Sequence, residues 1–450
     1  MKSKIYAYLT LFLMFVCVLS CKDEDEPQPQ PASTFTADKT TVKVGEDILF
    51  TNNSQNATAF IWSFGDGTTS KVFSPTKAYT TSGTFQVSLV SSGEGGSTIS
   101  NTTITVAPLA SFTAEDESNL VALTPIQFTN ASKGATSYLW SFGNEAGSTS
   151  TEQNPKFTYL KSGTFTVTLK ATGATGSTTI EKQITVNPAP PEIYFSVYAD
   201  YVINKISLDG SGQVTTFLNI TDKGGPGLVY DDVHGKIYFT DFDLRNEGKI
   251  WRVNLDGTEL ESVVTGLVEP YAIALDVAEG KMYWADDVDD TNNIGHIWRA
   301  NLDGSDQEDL VSLENGGFRG LALDLKNRKM YYSAQYDRNI YVADMNGDNA
   351  SVIVPGAYGF AIAVDSKHDK IYFEDYMQDI FQMADLDGNN IVTVDDEATR
   401  IYGIAIDSET DKLFWTARDS EAIYTSNMDG SNRVTVKDNV SDVRGIFLRK

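Results

Sequence analysis

Pro226, Tyr271, Arg319, Phe360, Tyr402 and Arg444 occupy equivalent places in a unit that recurs every 41 to 47 residues along the C-terminal half of this 450-residue chain. Aromatic faces stack on sugar rings or on other aromatics, and a guanidinium forks onto a carboxylate. Alternation of the two types therefore suits capture of a glycan or protein ligand. The same side chains can equally plug a channel and bond backbone, and residue type alone leaves both readings open. Around them stand Phe242, Arg245, Tyr336, Arg338, Tyr376, Met377 and Arg418. Catalytic constellations are missing from the sequence: there is no glycine-rich phosphate loop, nucleophile elbow or zinc-ligand spacing. Of the three histidines, His234 and His368 fall at equivalent turns of different units, so they make no pair, and His296 stands alone. The residues thus assign no catalytic group and no metal ligand, and they favour binding over catalysis.

Two acidic segments invite a calcium reading. Asp286 to Asn293 could hold calcium weakly or be a solvated loop, and it is the one cofactor possibility the chain offers. Asp385-Leu386-Asp387-Gly388-Asn389-Asn390 looks like a calcium loop, but it aligns with less acidic turns in the other units, so a hairpin turn is expected there. With 35 basic against 61 acidic residues and a net charge of -26, nucleic acid is not an expected partner.

The repeat supplies the elements that place these residues. Each unit ends an apolar strand in Asx-Gly: Asp209-Gly210, Asp256-Gly257, Asp303-Gly304, Asn346-Gly347, Asp387-Gly388 and Asp429-Gly430. Ahead of it lies a strand such as Tyr238-Phe239-Thr240-Asp241, Tyr283-Trp284-Ala285-Asp286 or Tyr372-Phe373-Glu374-Asp375, with the final aspartate lost at Ala334 and Ala417. These motifs resemble the YWTD, or LDL-receptor class B, repeat over 192–450. The resemblance implies a six-bladed β-propeller in which the motif knits neighbouring blades. The region opens on a second-strand sequence (192–197) and closes on a first-strand sequence (443–448), so one blade is split between its ends and the ring closes. In that geometry the Asx-Gly hairpins, expected to need positive φ at both central residues, lie on one face. The six aligned positions border the channel mouth on the other, where Tyr271, Arg319, Phe360, Tyr402 and Arg444 are the candidate ligand-binding residues.

Between 34–106 and again between 109–187, short alternating strands are separated by Gly, Ser, Asn and Thr clusters. Trp62-Ser63-Phe64-Gly65-Asp66-Gly67, Pro75, Tyr79 and Ser82-Gly83-Thr84-Phe85 are answered by Trp140-Ser141-Phe142-Gly143-Asn144, Pro155, Tyr159 and Ser162-Gly163-Thr164-Phe165. Both stretches resemble the PKD domain, an immunoglobulin-like sandwich, which implies a stalk without chemistry. The fold class expected is therefore all-β: two sandwiches followed by a propeller.

The N-terminus carries targeting information. Lys2 and Lys4 precede an apolar run ending in Val18-Leu19-Ser20-Cys21, which resembles the bacterial lipobox. That implies a signal peptide at 1–20 and a lipid on Cys21. The tether at 21–33 begins with an acidic run resembling the surface-export signal of Bacteroidetes lipoproteins and continues with alternating Pro and Gln. The expectation is a protein held on the outer membrane by its lipid and exposed at the cell surface, a receptor or adhesin. The alternative is an extracellular polysaccharide lyase or hydrolase.

Overall fold

A computed structural model describes residues 28–144, 146–208, 212–220, 224–242, 247–288, 293–397 and 400–450. The readings made at the signal peptide 1–20, at Cys21 and the start of the tether, at Asp209-Gly210, at Arg245 and at Asp289 to Asn292 lie outside these residues. The described residues form strands and turns without a helix, in two compact units that divide between Asn187 and Pro188.

The first unit holds two sandwiches. In the first, Phe35–Ala37, Asp47–Asn52 and Thr76–Ala78 face a five-stranded sheet built on the long hairpin Gly83–Gly93 and Gly96–Ala107. Trp62 fills the space between the sheets with Phe50 and Phe64, and its indole nitrogen donates to the Val72 carbonyl at 3.0 Å. Gly65 and Gly67 take the left-handed backbone that the turn requires (φ 77° and 85°). The second sandwich repeats the plan around Trp140, which donates to the Glu152 carbonyl at 2.9 Å. Its longer turn is capped by Asn144, whose side-chain oxygen accepts the Ser148 amide at 2.9 Å, where Asp66 accepts the Thr68 amide at 3.0 Å in the first.

In each sandwich a buried tyrosine ties the sheets together: Tyr79 donates to the Phe64 carbonyl at 2.8 Å and Tyr159 to the Phe142 carbonyl at 2.7 Å. Burial pushes the Tyr79 hydroxyl up to about 12 and Tyr159 higher still, so both stay protonated donors. Replacing either by Phe leaves a buried carbonyl without its partner and should lower that module's stability by about 1–2 kcal/mol, measurable by urea unfolding.

The second unit is six four-stranded antiparallel sheets, which we number as blades one to six. Their inner strands are Val443–Arg449, Leu228–Asp231, Pro270–Asp276, Phe318–Asp324, Ile362–Asp365 and Ile401–Asp407. Each inner strand touches the next, and the sixth touches the first, so the sheets form a closed propeller around an axis. Blade one is completed across the chain's length: Glu192–Val197 pairs with Val443–Arg449, and the Arg449 guanidinium donates to the Glu192 carboxylate at 2.6 Å. Against the cost of burial, Arg449 and Lys205 hold that carboxyl below the usual range.

The inner strands pack closely because small residues stand where they abut. A Cβ on Gly445 would lie 2.3 Å from the Pro226 carbonyl oxygen, a distance no side chain tolerates. The Asx-Gly turns correct one expectation. In the five described turns only the glycine is left-handed among the central pair (φ 82° at Gly257, 84° at Gly304), together with a residue two positions later such as Glu259 or Asp306. The Asx residue keeps ordinary φ because its side chain does the turning: Asp256 Oδ1 accepts the Thr258 amide at 3.0 Å, and Asp303 Oδ1 the Ser305 amide. The segment Asp385-Leu386-Asp387-Gly388-Asn389-Asn390 shares this turn, as expected of a hairpin. Asp387 accepts the Asn389 backbone amide at 3.1 Å and side-chain amide at 2.9 Å, and Asp385 pairs with Lys370.

Candidate functional site at the channel mouth

The six inner strands share a local pattern: a large or polar residue, then Gly or Ala, then Leu or Ile. The aliphatic members are Leu228, Ile273, Leu321, Ile362, Ile404 and Ile446, and together they line a central cavity of about 80 Å³. Phe360, Tyr402 and Pro226 border the same cavity. Three of the six positions that the repeat singled out therefore border the cavity directly.

All five candidate side chains meet in one ring. The Arg319 guanidinium lies 3.7 Å from the Tyr271 ring centre and 5.9 Å from that of Phe360. Phe360 stacks on Tyr402 at 4.4 Å, and Arg444 lies 5.2 Å from the Tyr402 ring. Pro226 leaves a gap that Phe242 fills: it stacks on Tyr271 at 5.3 Å and receives Arg444 at 5.3 Å. The circuit Tyr271, Arg319, Phe360, Tyr402, Arg444, Phe242 is closed. Tyr271, Arg319 and Arg444 are buried (9 %, 7 % and 7 % exposed), whereas Phe360, Tyr402 and Phe242 are half-buried. Plugging and presentation are thus divided among members of one ring.

A second circle, one position beyond each motif, holds the first in place. It comprises Tyr198, Phe242, Asp287, Gln335, Tyr376 and Arg418. Asp287 forms an ion pair with Arg319, whose Nε donates to Gln335 Oε1 at 2.8 Å, while its Nη1 faces the Glu269 carboxylate at 3.9 Å without a hydrogen bond. Burial pushes the Asp287 carboxyl up, and the Arg319 charge opposes that. Arg444 sits 3.8 Å from the Tyr198 ring centre, and its Nε donates to Asp442 at 3.2 Å. Arg418 donates to the same carboxylate at 2.6 Å. Despite the cost of its own burial, the two cations hold the Asp442 carboxyl below the usual range. Tyr376 meets Phe360 edge-on at 5.5 Å. Outside both circles Tyr336, Arg338 and Met377 are exposed, with Tyr336 at 54 % and Met377 at 50 %. Of this second circle, Asp287, Gln335 and Tyr198 escaped the sequence reading, although the same alignment moved along by one strand would have found them.

The motif's third and fourth residues do separate work. In blade two the Thr240 hydroxyl accepts the Gly227 amide at 2.9 Å and donates to the Tyr271 carbonyl of the next blade at 3.0 Å. Ser333 accepts from Gly320 and donates to Gly359, and Ser196 accepts from Gly445 and donates to Gly225. Thr416 donates to the Arg444 carbonyl. The fourth residue instead pins the loop that enters its own blade: Asp286 accepts the Val268 and Glu269 amides at 3.2 and 2.8 Å, and Asp241 accepts the Gly224 amide at 3.3 Å. Burial pushes the Asp286 carboxyl up to about 6. Blade-to-blade stitching therefore falls to the hydroxyl position, which is intact beside Ala334 and Ala417.

One cluster carries the residue types of a catalytic triad. His296 Nδ1 lies 2.9 Å from Asp309 and 3.1 Å from Ser312 Oγ, and Ser312 donates to the same Asp309 at 2.5 Å. Both partners meet one ring nitrogen, so no relay runs from serine through both nitrogens of the imidazole to aspartate. His234 and His368 each cap a turn against the buried Asp231 and Asp365, at 2.7 and 2.6 Å. Among the described residues, no three His, Cys, Asp or Glu side chains converge as a metal site.

Family models for the PKD domain match residues 26–108 and 110–186. Low-density lipoprotein receptor-related protein 5 of Mus musculus is 34% identical over 95 residues, which is 21% of this chain and 6% of that protein; the Homo sapiens protein matches to the same extent. The shared region is thus a small part of those receptors. Among solved structures, a chain of a nidogen/laminin complex superposes with a TM-score of 0.51 at 19% identity, covering 57% of this chain and 98% of that one. That likeness concerns the fold, and the sequence match to receptor-related protein 5 independently points to the same type of repeat.

Proposed function

We propose that this protein is an extracellular binding protein whose propeller captures a protein or glycan ligand at the channel mouth, with the PKD pair as a stalk and a lipid on Cys21 as its anchor. The observation that carries this is the closed aromatic and arginine circuit at one end of the channel. Its members Phe360, Tyr402 and Phe242 are only half-buried, as is the neighbouring Tyr198, and Tyr336 and Met377 on the following loops are exposed. Large rigid aromatics with arginines among them are the side chains on which binding energy concentrates. Buried ion pairs under the ring hold it in one arrangement before a ligand arrives, which lowers the ordering cost of binding. A protein ligand is favoured by the nidogen chain, whose structure was determined in a complex with laminin. The acidic tether and lipobox-like sequence support display on an outer membrane.

The test is a peptide and glycan array probed with the soluble chain from residue 28 onward, with product analysis on each captured compound. Capture without turnover is the expected result. Turnover of a captured polysaccharide would replace this reading with an enzymatic one.

A further inference from the structure

Blade five breaks the stitching rule at one residue. Where the other motifs carry Ser196, Thr240, Ser333 and Thr416, or Ala285 without a hydroxyl, blade five carries Glu374. Its side chain is wholly buried. Oε1 accepts the Ile401 amide of blade six at 2.9 Å, and Oε2 accepts the Phe360 amide of its own blade at 3.3 Å. Phe360 and Tyr402, the residue after Ile401, are the pair stacked at 4.4 Å in the mouth. Gly359 leaves room for this arrangement, since a Cβ there would stand 2.5 Å from the Glu374 carbonyl oxygen and 2.7 Å from its Cβ.

We propose that Glu374 is a proton-operated latch that sets the spacing of Phe360 and Tyr402 and so regulates access to the mouth. The proposal rests on reading that mouth as the binding face. An ionised carboxylate has no proton to give, so it clamps the joint by accepting two backbone amides, one from each blade. Protonation converts one oxygen into a donor. The carboxyl then acquires what Ser and Thr carry at four of the other five joints, a hydrogen for a carbonyl of the next blade, and it gives up one of its two amides. The longer bond, to the Phe360 amide, is the one released, and the Phe360 ring is freed to shift against Tyr402.

Burial pushes the Glu374 carboxyl up to about 7, against the amides of Ile401, Phe360 and Arg400 that favour the ionised form. The titratable and charged groups around it are Asp379 on the turn after its strand, Asp375 beside it, Tyr358 on the entering segment, and Arg400 and Tyr402 of blade six. Asp379 adds to the upward shift, while Asp375 is occupied by the Met377 amide at 3.1 Å and the Gln378 side chain at 2.5 Å. No histidine is among these groups.

The test uses the full chain without a ligand. Amide resonances of selectively labelled Phe360 and Ile401 are followed from pH 5 to 9, and relaxation by the soluble nitroxide TEMPOL reports access to Phe360. The expected result is a shared step near pH 7 and at least twofold stronger relaxation at pH 5.5 than at pH 8, both lost in Glu374→Gln. Glu374→Thr, which installs the stitch of the other joints, serves as the second variant and should also lack the step. A parent chain without the step, a step that persists in both variants, or equal relaxation at the two pH values would overturn the latch. Since no ligand enters these readouts, the latch and the binding reading can fail separately.

Discussion

Deletion of residues 443–450 abolishes the cooperative melting of the propeller while the transition of the PKD unit persists. The eight residues are the inner strand of blade one, and they bring Val443, Ile446 and Phe447 into cores shared with Ile193, Phe195, Tyr194 and Leu228. Removing a single large buried apolar side chain costs about 2–5 kcal/mol. A domain's whole stability is about 5–15 kcal/mol, so losing the strand exceeds what the propeller holds. The loss is also topological: Glu192–Val197 becomes an open edge, the Thr416 hydroxyl of blade six loses the Arg444 carbonyl, and Ser196, which donates to the Gly225 carbonyl of blade two, loses the Gly445 amide. Calorimetry of the intact and shortened chains distinguishes the outcomes. A shortened chain that stays monomeric and melts as the parent does contradicts the closed ring.

The second large effect is expected at Arg319. Its guanidinium covers the Tyr271 ring and neutralises Asp287, whose side chain is 7 % exposed. Arg319→Ala leaves that carboxylate buried without its cation, which costs about 3–5 kcal/mol. On a domain of this size that lowers the melting temperature by on the order of 10 °C. Adding Asp287→Asn removes the stranded charge, so the double variant recovers most of the loss. A thermal-melt double-mutant cycle reads the coupling directly. An Arg319→Ala chain that melts with the parent, or a double variant no better than the single one, would show that the pair does not hold the ring.

The pH dependence of stability separates Glu374 from the paired acids. Its folded-state pKa of about 7 lies above the ordinary 4.5, so the native state binds the extra proton and propeller stability falls as pH rises through that interval. Asp442, Asp407 and Glu192 are shifted the other way, and the stability they confer is lost only in acid, as pH falls through their lowered values. Asp286, pushed up to about 6, adds a slope of the same sign at lower pH, so Glu374→Gln should reduce the slope most clearly between about pH 6 and 7 and leave the acid limb unchanged.

Much of this was legible in the residues because a repeat supplies its own alignment. Six copies place Tyr271, Arg319, Phe360, Tyr402 and Arg444 at one height on the axis, and the structure closes them into a circuit. What stayed hidden depends on direction and on neighbours. Phe242 was legible as a neighbour of the mouth, but not that it takes the place Pro226 leaves open in the ring. Asp287 read as part of an acidic loop because its partner stands 32 positions away in sequence and one blade over in space. Glu374 read as a variant letter in a strand motif, since nothing local reveals that the position bridges two blades. The Asx-Gly turn misled for a related reason: its backbone angles are set by a side-chain hydrogen bond that the dipeptide alone does not show.

Changing Tyr271, Arg319, Tyr402 and Arg444 together to Ala would confuse binding with stability, because Tyr271, Arg319 and Arg444 are buried. Phe360→Ala combined with Tyr402→Ala removes the half-buried surface and leaves the Arg319 and Arg444 ion pairs in place. Lys326→Ala with Lys367→Ala, on the opposite turns, serves as the control. The decisive measurement is the affinity of the parent and these two variants for one compound captured on the array, taken after each has been shown to melt cooperatively. The mouth variant is expected to bind at least about 30-fold more weakly, equivalent to ~2 kcal/mol, while the control binds as the parent does. Parent-like affinity in the mouth variant would contradict this and reduce the ring to a plug.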